Sequence, residues 1–296
     1  MIATGKILFI LMLLLHKNSG QDAFSDKKTL KIPETYTVSW MQSLDDSKLI
    51  STITIPGTHE SMALHGLQAV KCQALSLEDQ LKAGIRYLEF TVSGKKMDIK
   101  DGALFKHAKF DEAFKTIKSF LTQFKSETVL VRVESKDKKI NVQDLIQNLI
   151  EKDVNVWVQP SIPKIGDVRG KIVFVQKDSF KLGIPLTEIT TKGDHKVSNS
   201  KEKQVKIRDH LSEAFKECAK EGGESSVVLT YSSDTYLKKN ILNFISTPKT
   251  VAKDVNPWLH DYLKKASQEN PKPCYGIIAM DFPGFDLIQM VIGFNT

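Results

Sequence analysis

The sequence predicts an α/β protein in which a parallel sheet is covered by helices. Short, apolar, β-branched runs alternate with amphipathic segments of helical spacing along the chain, the pattern of strand–helix–strand units. Those runs are continuously apolar, as strands buried on both faces of a parallel sheet are. No glycine-rich dinucleotide loop and no Walker loop accompanies them, which weighs against nucleotide binding. An open doubly wound sheet and a closed barrel both fit this pattern.

The elements follow in chain order. Lys6 precedes an unbroken apolar run of nine residues, Ile7 to Leu15, which stops at His16-Lys17-Asn18-Ser19-Gly20. That is too short to cross a bilayer but suits the apolar region of a secretory signal peptide. Residues 1–20 are therefore expected to be a signal peptide cleaved at Gly20/Gln21, making the protein secreted and extracellular. Residues 21–37 form a polar segment, expected to be extended or loosely ordered. Val38–Leu44, around Trp40, reads as a short helix. Leu49–Ile55 reads as a strand ended by Pro56-Gly57. Ser76–Gly84 has the start and stop signals of a helix, with Ser76 as N-cap and Gly84 as C-cap.

Tyr87–Val92 reads as a strand, and Met97–Ile99 as another, closed by Asp101-Gly102. Phe110–Phe124 places seven apolar residues at helical spacing. Thr128–Val133 is an expected strand, Val142–Ile150 a helix, Lys171–Val175 a buried strand, and Lys203–Lys220 a long helix broken by Gly222-Gly223. Lys192–Lys203 is polar and reads as a surface loop. Ser226–Thr230 is a strand, Pro257–Ala266 a helix with Asn256 as N-cap, Tyr275–Met280 the last strand and Asp286–Phe294 a closing helix.

Composition sets outer limits. With 296 residues, 41% hydrophobic and 26% charged, the chain is neither disordered nor collagen-like, and no second long apolar segment marks it as multi-pass. Its net charge is +7. Three cysteines, Cys72, Cys218 and Cys274, allow one disulfide, and no Cys or His spacing suggests zinc. No Asn-x-Ser/Thr triplet occurs. The basic runs lack interleaved aromatics, so nucleic acid is not expected as a partner.

Polar residues gather at the C-terminal ends of the expected strands, where barrel enzymes keep their active sites. The first strand runs into His59-Glu60-Ser61, the second puts Glu89 and Thr91 on one face, the third ends at Glu134, and the last runs into Asp281. A histidine among carboxylates suits general acid–base chemistry.

The stretches Ile53-Thr54-Ile55-Pro56-Gly57-Thr58-His59-Glu60-Ser61-Met62, Leu77–Glu89, Glu127–Val133 and Gly276–Pro283 resemble four blocks of the phosphatidylinositol-specific phospholipase C X-domain family, in its secreted, single-domain, bacterial-type branch. The resemblance covers residues 38–296 and implies a distorted TIM (β/α)8-type barrel. It implies a phosphoric diester hydrolase acting on phosphatidylinositol-type head groups in lipid metabolism. His59 matches the general base that deprotonates the inositol 2-hydroxyl, and Asp281 the carboxylate that orients it. Glu60 and Glu89 match further acidic site positions.

Departures from the family pattern point the other way. Where the bacterial-type enzymes carry an arginine that neutralises phosphate, this chain has Thr91. Asp101 stands where the family has the histidine that protonates the leaving group, and an ordinary carboxylate is ionised at neutral pH. His107 lies nearby but six residues on. These departures support the alternative of a catalytically inactive descendant that binds inositol phosphates or anionic membrane surfaces.

No cofactor is required by this reading. Ca2+ is the one candidate, with Glu60, Glu89 and Glu134 aligned to calcium ligands of the calcium-dependent branch. The competing reading pairs these acids with Arg86, Arg132, Lys136 or Lys138. Lys136 is also the expected substrate-binding cation beside Thr91. The expected partners are a phospholipid head group or inositol phosphate, and peripheral contact with an anionic membrane, with the protein acting as a monomer. In a barrel, helix ends and strand starts share the bottom face, so Cys218 and Cys274 are expected to pair and Cys72 to stay free.

Overall fold

The computed structural model describes residues 22–101, 105–135, 137, 139–151, 153–178, 180–190, 199–218, 226–233, 246–269 and 273–295. Its strands are β1 (Ile55–Thr58), β2 (Tyr87–Ser93), β3 (Asp98–Asp101), β4 (Phe105–Lys109), β5 (Val129–Ser135), β6 (Val156–Trp157), β7 (Ile172–Val175), β8 (Leu186–Glu188), β9 (Val227–Tyr231) and β10 (Ile277–Met280). The helices are α1 (Leu77–Ala83), α2 (Phe110–Gln123), α3 (Val142–Ile150), α4 (Ile165–Val168), α5 (Ser200–Cys218), α6 (Pro248–Glu269) and α7 (Phe285–Ile292).

The strands pair in the order β6-β7-β5-β2-β1-β10-β9-β8, all parallel along this path, and β3 and β4 extend β2 as an antiparallel arm. A parallel bridge from Val175 to Ile184, just ahead of β8, brings the two flanks of the sheet together. The result is a distorted α/β barrel. One main hydrophobic cluster joins the outward strand residues Leu88, Phe90 and Val133 to the inner faces of the helices.

Residues that read as strand punctuation turn out to lie inside β1. The expected strand over Leu49–Ile55 is instead a 3-10 turn at Ile50–Thr52, and the strand begins at Ile55 and runs through Pro56 and Gly57. In a parallel strand the N–H and C=O of one residue face the same neighbour. Pro56 accepts there from the Arg86 N–H (2.9 Å), and the N–H that proline lacks costs little at this site. Gly57 is required by packing: a Cβ there would sit 2.7 Å from the Tyr87 ring.

Several other expectations are met closely. Ser76 caps α1 by accepting from the Asp79 N–H (3.1 Å), and Gly84 ends it at φ 116°. The expected helix over Val142–Ile150 has those ends. Cys218 and Cys274 form the disulfide, leaving Cys72 as a buried free thiol.

Four expectations are corrected. Residues 22–36 are not loose at their start: Ala23 is buried, the Gly284 N–H donates to Ala23 O (2.8 Å), and the Ser25 N–H donates to Phe282 O (3.1 Å). The second short strand is β3, one residue later than expected, paired with a strand β4 that the pattern did not show. The loop expected over Lys192–Lys203 gives way to helix from Ser200, while its part at 192–198 lies outside the described residues. The helix expected to start at Pro257 begins at Pro248 and contains Pro257 in its interior. Asn256 is therefore not an N-cap.

Candidate active site

The C-terminal ends of β1, β2, β5, β8, β9 and β10 converge on one mouth. His59 follows β1 directly, and its N–H donates to Met280 O (3.1 Å), so the strand pairing of β1 with β10 carries it beside Asp281. His59 Nδ1 lies 3.0 Å from Asp281 Oδ1, and Nε2 faces Glu89 Oε1 at 3.9 Å. Burial lowers the His59 pKa, but the charge and hydrogen bond of Asp281, followed by a Cys72 hydrogen bond and the Glu89 charge, outweigh it and hold the imidazole well above its ordinary value.

The backbone around this pair is bent and braced. Glu60 (φ 42°) and Phe282 (φ 44°), each following a member of the pair, sit in the left-handed region that non-glycine residues rarely adopt. Two buried amides hold the bends. Gln73 Nε2 donates to His59 O (2.8 Å) and Met280 O (2.9 Å). Asn256 Nδ2 donates to Asp281 O (2.9 Å) and Phe282 O (3.0 Å). Ser61 accepts from the Thr58 hydroxyl (2.8 Å), and its Oγ takes the Glu89 N–H (2.9 Å), locking the first loop to β2.

Strand periodicity places Tyr87, Glu89 and Thr91 on the inward face of β2, with Arg132 and Glu134 opposite them on β5. Glu89 Oε2 accepts from Tyr231 (2.6 Å) and Tyr87 (3.2 Å) and lies 3.6 Å from Arg132 Nη1. Burial first, with the Glu89 charge adding to it, pushes the pKa of both tyrosines up, so they remain hydroxyl donors. Burial opposes the charge of Arg132, but Tyr87, Glu89, Tyr231 and Glu188 more than compensate. Arg132 also donates to the Tyr231 hydroxyl and to Glu188 Oε2 (3.3 Å), and Lys177 Nζ meets that same oxygen at 3.1 Å.

Thr91 Oγ1 lies 2.8 Å from Glu60 Oε1 and 3.3 Å from Glu134 Oε1. One hydroxyl has one proton, so it can satisfy only one of these carboxylates at a time. Glu134 Oε2 lies 3.7 Å from Arg132 Nη2. The mouth continues into a cavity of about 380 Å³ that shares Glu134 and Lys177 with the site and is otherwise lined by both polar and apolar residues, Asn141 and Phe180 among them.

His59, Asp281, Glu60, Glu89, Thr91 and Glu134 thus meet as the strand-end argument expected. The expected trio of Glu60, Glu89 and Glu134 is divided. Glu60 and Glu134 converge on Thr91, whereas Glu89 is engaged by Tyr87, Tyr231 and Arg132. Asp101 lies on β3 of the antiparallel arm, and its side chain, like that of His107, is outside the described part, as is the whole of Lys136. Arg86, offered as a partner for these acids, is bonded elsewhere. It is fully buried and donates to Glu127 through Nε (2.9 Å) and Nη2 (2.7 Å) below the site.

Sequence reasoning missed Tyr231, Glu188, Lys177, Cys72, Gln73 and Asn256. Tyr231 ends a strand and was within reach of the strand-end rule. The other five lie on a very short strand, in loops or within a helix, where spacing carries no signal.

Residues 48–178 match the family model for the phosphatidylinositol-specific phospholipase C, X domain. A 1-phosphatidylinositol phosphodiesterase of Listeria monocytogenes is 28% identical over 283 residues, covering 88% of this chain and 85% of its own. The solved phosphatidylinositol-specific phospholipase C of Listeria monocytogenes superposes with a TM-score of 0.74 at 24% identity, over 88% of this chain and 100% of that one. A Staphylococcus aureus structure, described in terms of modulated membrane binding, gives 0.70 at 17% identity, over 88% and 97%.

Proposed function

From the phosphatidylinositol-specific phospholipase C X domain that the chain carries over residues 48–178, we propose that the protein is a phosphoric diester hydrolase of phosphatidylinositol-type lipids with His59 as its general base. The observation that carries this is the 3.0 Å contact between His59 Nδ1 and Asp281, which leaves Nε2 facing the barrel mouth. Asp281 fixes the ring orientation and stabilises its charged form, as in a catalytic triad. A ring hydroxyl of the head group gives its proton to Nε2 and attacks phosphorus. The bond to the diacylglycerol oxygen breaks, that oxygen takes up a proton from solvent, and a cyclic phosphate remains on the head group. The name of the Listeria relative, a phosphodiesterase of phosphatidylinositol, agrees with this substrate class.

Charge balance sets the expected rate. Glu60, Glu89, Glu134 and Glu188 face the mouth, while Arg132 and Lys177 are the described cations paired there. Thr91 adds no charge where a phosphodiester would need one, so Arg132 is assigned to phosphate neutralisation at reduced strength. Glu60, Glu134 and the Thr91 hydroxyl form a hard oxygen donor set that fits Ca2+. Bound there, Ca2+ would supply positive charge to a phosphate, and no step above is routed through it. The crowding of Thr91 by two carboxylates also favours the second reading, a binding protein that no longer turns over substrate.

The lipid is reached by peripheral contact. Leu67, 67% exposed, stands on the loop between β1 and α1 that begins with His59. Among the described residues no helix is long and apolar enough to cross a membrane. Residues 1–20 are proposed as a signal peptide, residues 21–37 as the N-terminal segment and residues 38–296 as a secreted monomeric barrel. N-terminal sequencing of the exported protein should start at Gln21.

The deciding experiment incubates the chain from Gln21 with phosphatidylinositol vesicles, in Ca2+ and in chelator, and follows cyclic inositol phosphate. Slow release that His59→Ala abolishes supports the enzyme. Vesicle binding without release in either condition supports the binding protein, and neither binding nor release refutes both.

A further inference from the structure

Behind the catalytic pair lies a side chain that the proposed reaction does not use. Cys72 is 4% exposed, and its sulfur, a ring nitrogen of His59 and a carboxylate oxygen of Asp281 all lie within 4.8 Å of one another. Its backbone is pinned on both sides: the Cys72 N–H donates to Ala63 O (3.0 Å), and Cys72 O accepts from the Phe282 N–H (2.9 Å). The thiol is thus held against the site by the same two loops that carry His59 and Asp281.

We propose that Cys72 Sγ, His59 Nδ1 and Asp281 Oδ1 form a three-ligand site for a thiophilic divalent cation, zinc in particular, that switches the general base off. Thiolate, imidazole and carboxylate are the donors zinc prefers, and three protein ligands plus water complete a tetrahedron. Bonds of about 2.0–2.3 Å set ligand atoms about 3.3–3.8 Å apart. Nδ1 and Oδ1 are already 3.0 Å apart, so the set closes on a cation with movements of ~1 Å or less.

This donor set differs from the all-oxygen mouth formed by Glu60, Thr91 and Glu134, and the two sites select different ions: soft and borderline cations behind the histidine, Ca2+ in front. Without metal, burial pushes the Cys72 thiol up to about 12, which keeps it protonated and inert. On binding, the S–H bond breaks, its proton leaves to solvent, and an Sγ–metal bond forms. The Nδ1–H bond of the charged imidazole also breaks, its proton leaves to solvent, and His59 Nδ1 exchanges its hydrogen bond to Asp281 for a bond to the metal. The ring then carries its remaining proton on Nε2, so the nitrogen that faces the mouth can no longer accept one. Inhibition rests on the assignment of His59 as base, whereas the metal site does not.

The chain has three cysteines, and two form the disulfide, so any thiolate ligation reports Cys72 alone. The test titrates the purified chain from Gln21 with Co2+ and then displaces it with Zn2+. The expected result is a thiolate-to-cobalt charge-transfer absorption in the near ultraviolet that zinc abolishes. Cys72→Ser should lose that absorption and weaken zinc at least ~10-fold, the scale of disturbed metal sites. His59→Ala should weaken zinc while retaining the sulfur band, which keeps the test valid if Cys72→Ser fails to fold. Cobalt binding without the band, undiminished zinc affinity in either folded variant, or no binding at all overturns the proposal. In a vesicle assay zinc should suppress turnover and chelator restore it. A protein without turnover that still shows the band would refute the hydrolase and leave this site standing.

Discussion

Asn256 separates two structural roles that predict opposite mutational outcomes. As a helix N-cap it would accept through its side-chain oxygen, so Ser or Asp would replace it and Ala would cost about 1 kcal/mol. In the structure it lies inside α6, is 1% exposed, and uses Nδ2 to donate to both Asp281 O and Phe282 O. Asn256→Ala removes two hydrogen bonds of about 0.5–1.5 kcal/mol each and leaves two buried carbonyls without this donor, so about 2–3 kcal/mol should be lost. At ~2–4 °C per kcal/mol for a chain of this size, the melting temperature should fall by roughly 4–12 °C. Asn256→Asp should be worse than Ala, because a carboxylate offers no donor and faces two carbonyl oxygens. Calorimetry of the wild type and of the Ala, Asp and Ser variants, with the vesicle assay alongside, measures this. Wild-type stability in Asn256→Asp or Asn256→Ser would refute the brace and restore the cap.

The raised His59 pKa fixes the sign of two pH effects. Its stabilising contribution is fully present below about pH 6.5, the unfolded value, and is lost as pH rises through the folded value; the deficit of Asp281→Asn in melting temperature should therefore be largest in acid and shrink in alkali. Since a base must be neutral, turnover should climb with pH through that same folded value, and Glu89→Gln should move the rise to lower pH, as read from the pH–rate profile. Ca2+ should raise the melting temperature, by about 2.7 kcal/mol of added stability at a hundredfold excess over its dissociation constant, and Glu134→Gln should abolish that rise in calorimetry. Glu127→Ala should cost about 3–5 kcal/mol in urea unfolding, because it strands the buried Arg86 guanidinium.

Much of the fold was legible because its signals are local. The period of Phe110–Phe124, the cap at Ser76 and the stop at Gly84 each act within a few residues, and each recurs in the structure. The motif residues Arg86 and Glu127 were visible as sequence, but their purpose was not, since their contact spans 41 positions. Two of the misread elements, β1 and α6, share a cause. Pro56, Gly57 and Pro257 are breakers by local rule, and each is tolerated through something outside its segment: the Arg86 N–H that needs only the Pro56 carbonyl, the Tyr87 ring that needs the space at Gly57, and the packing that carries α6 past Pro257.

The sequence by itself determined the α/β class, the strand ends that bear His59, Glu89, Glu134 and Asp281, and the absence of a charge at Thr91. These follow from residue type and spacing along one strand or helix. Only the tertiary structure decided how those ends face one another: that Glu89 turns to Tyr231 and Arg132 while Glu60 and Glu134 close on Thr91, that Asn256 and Gln73 hold the backbone at Asp281 and His59, and that Cys72 stands behind His59. Each of these joins residues from separate elements, and their distances are set by the parallel register of the strands and the bends after them. Hydrogen-bond partners and charge neighbours are properties of distance in space, which no local pattern encodes.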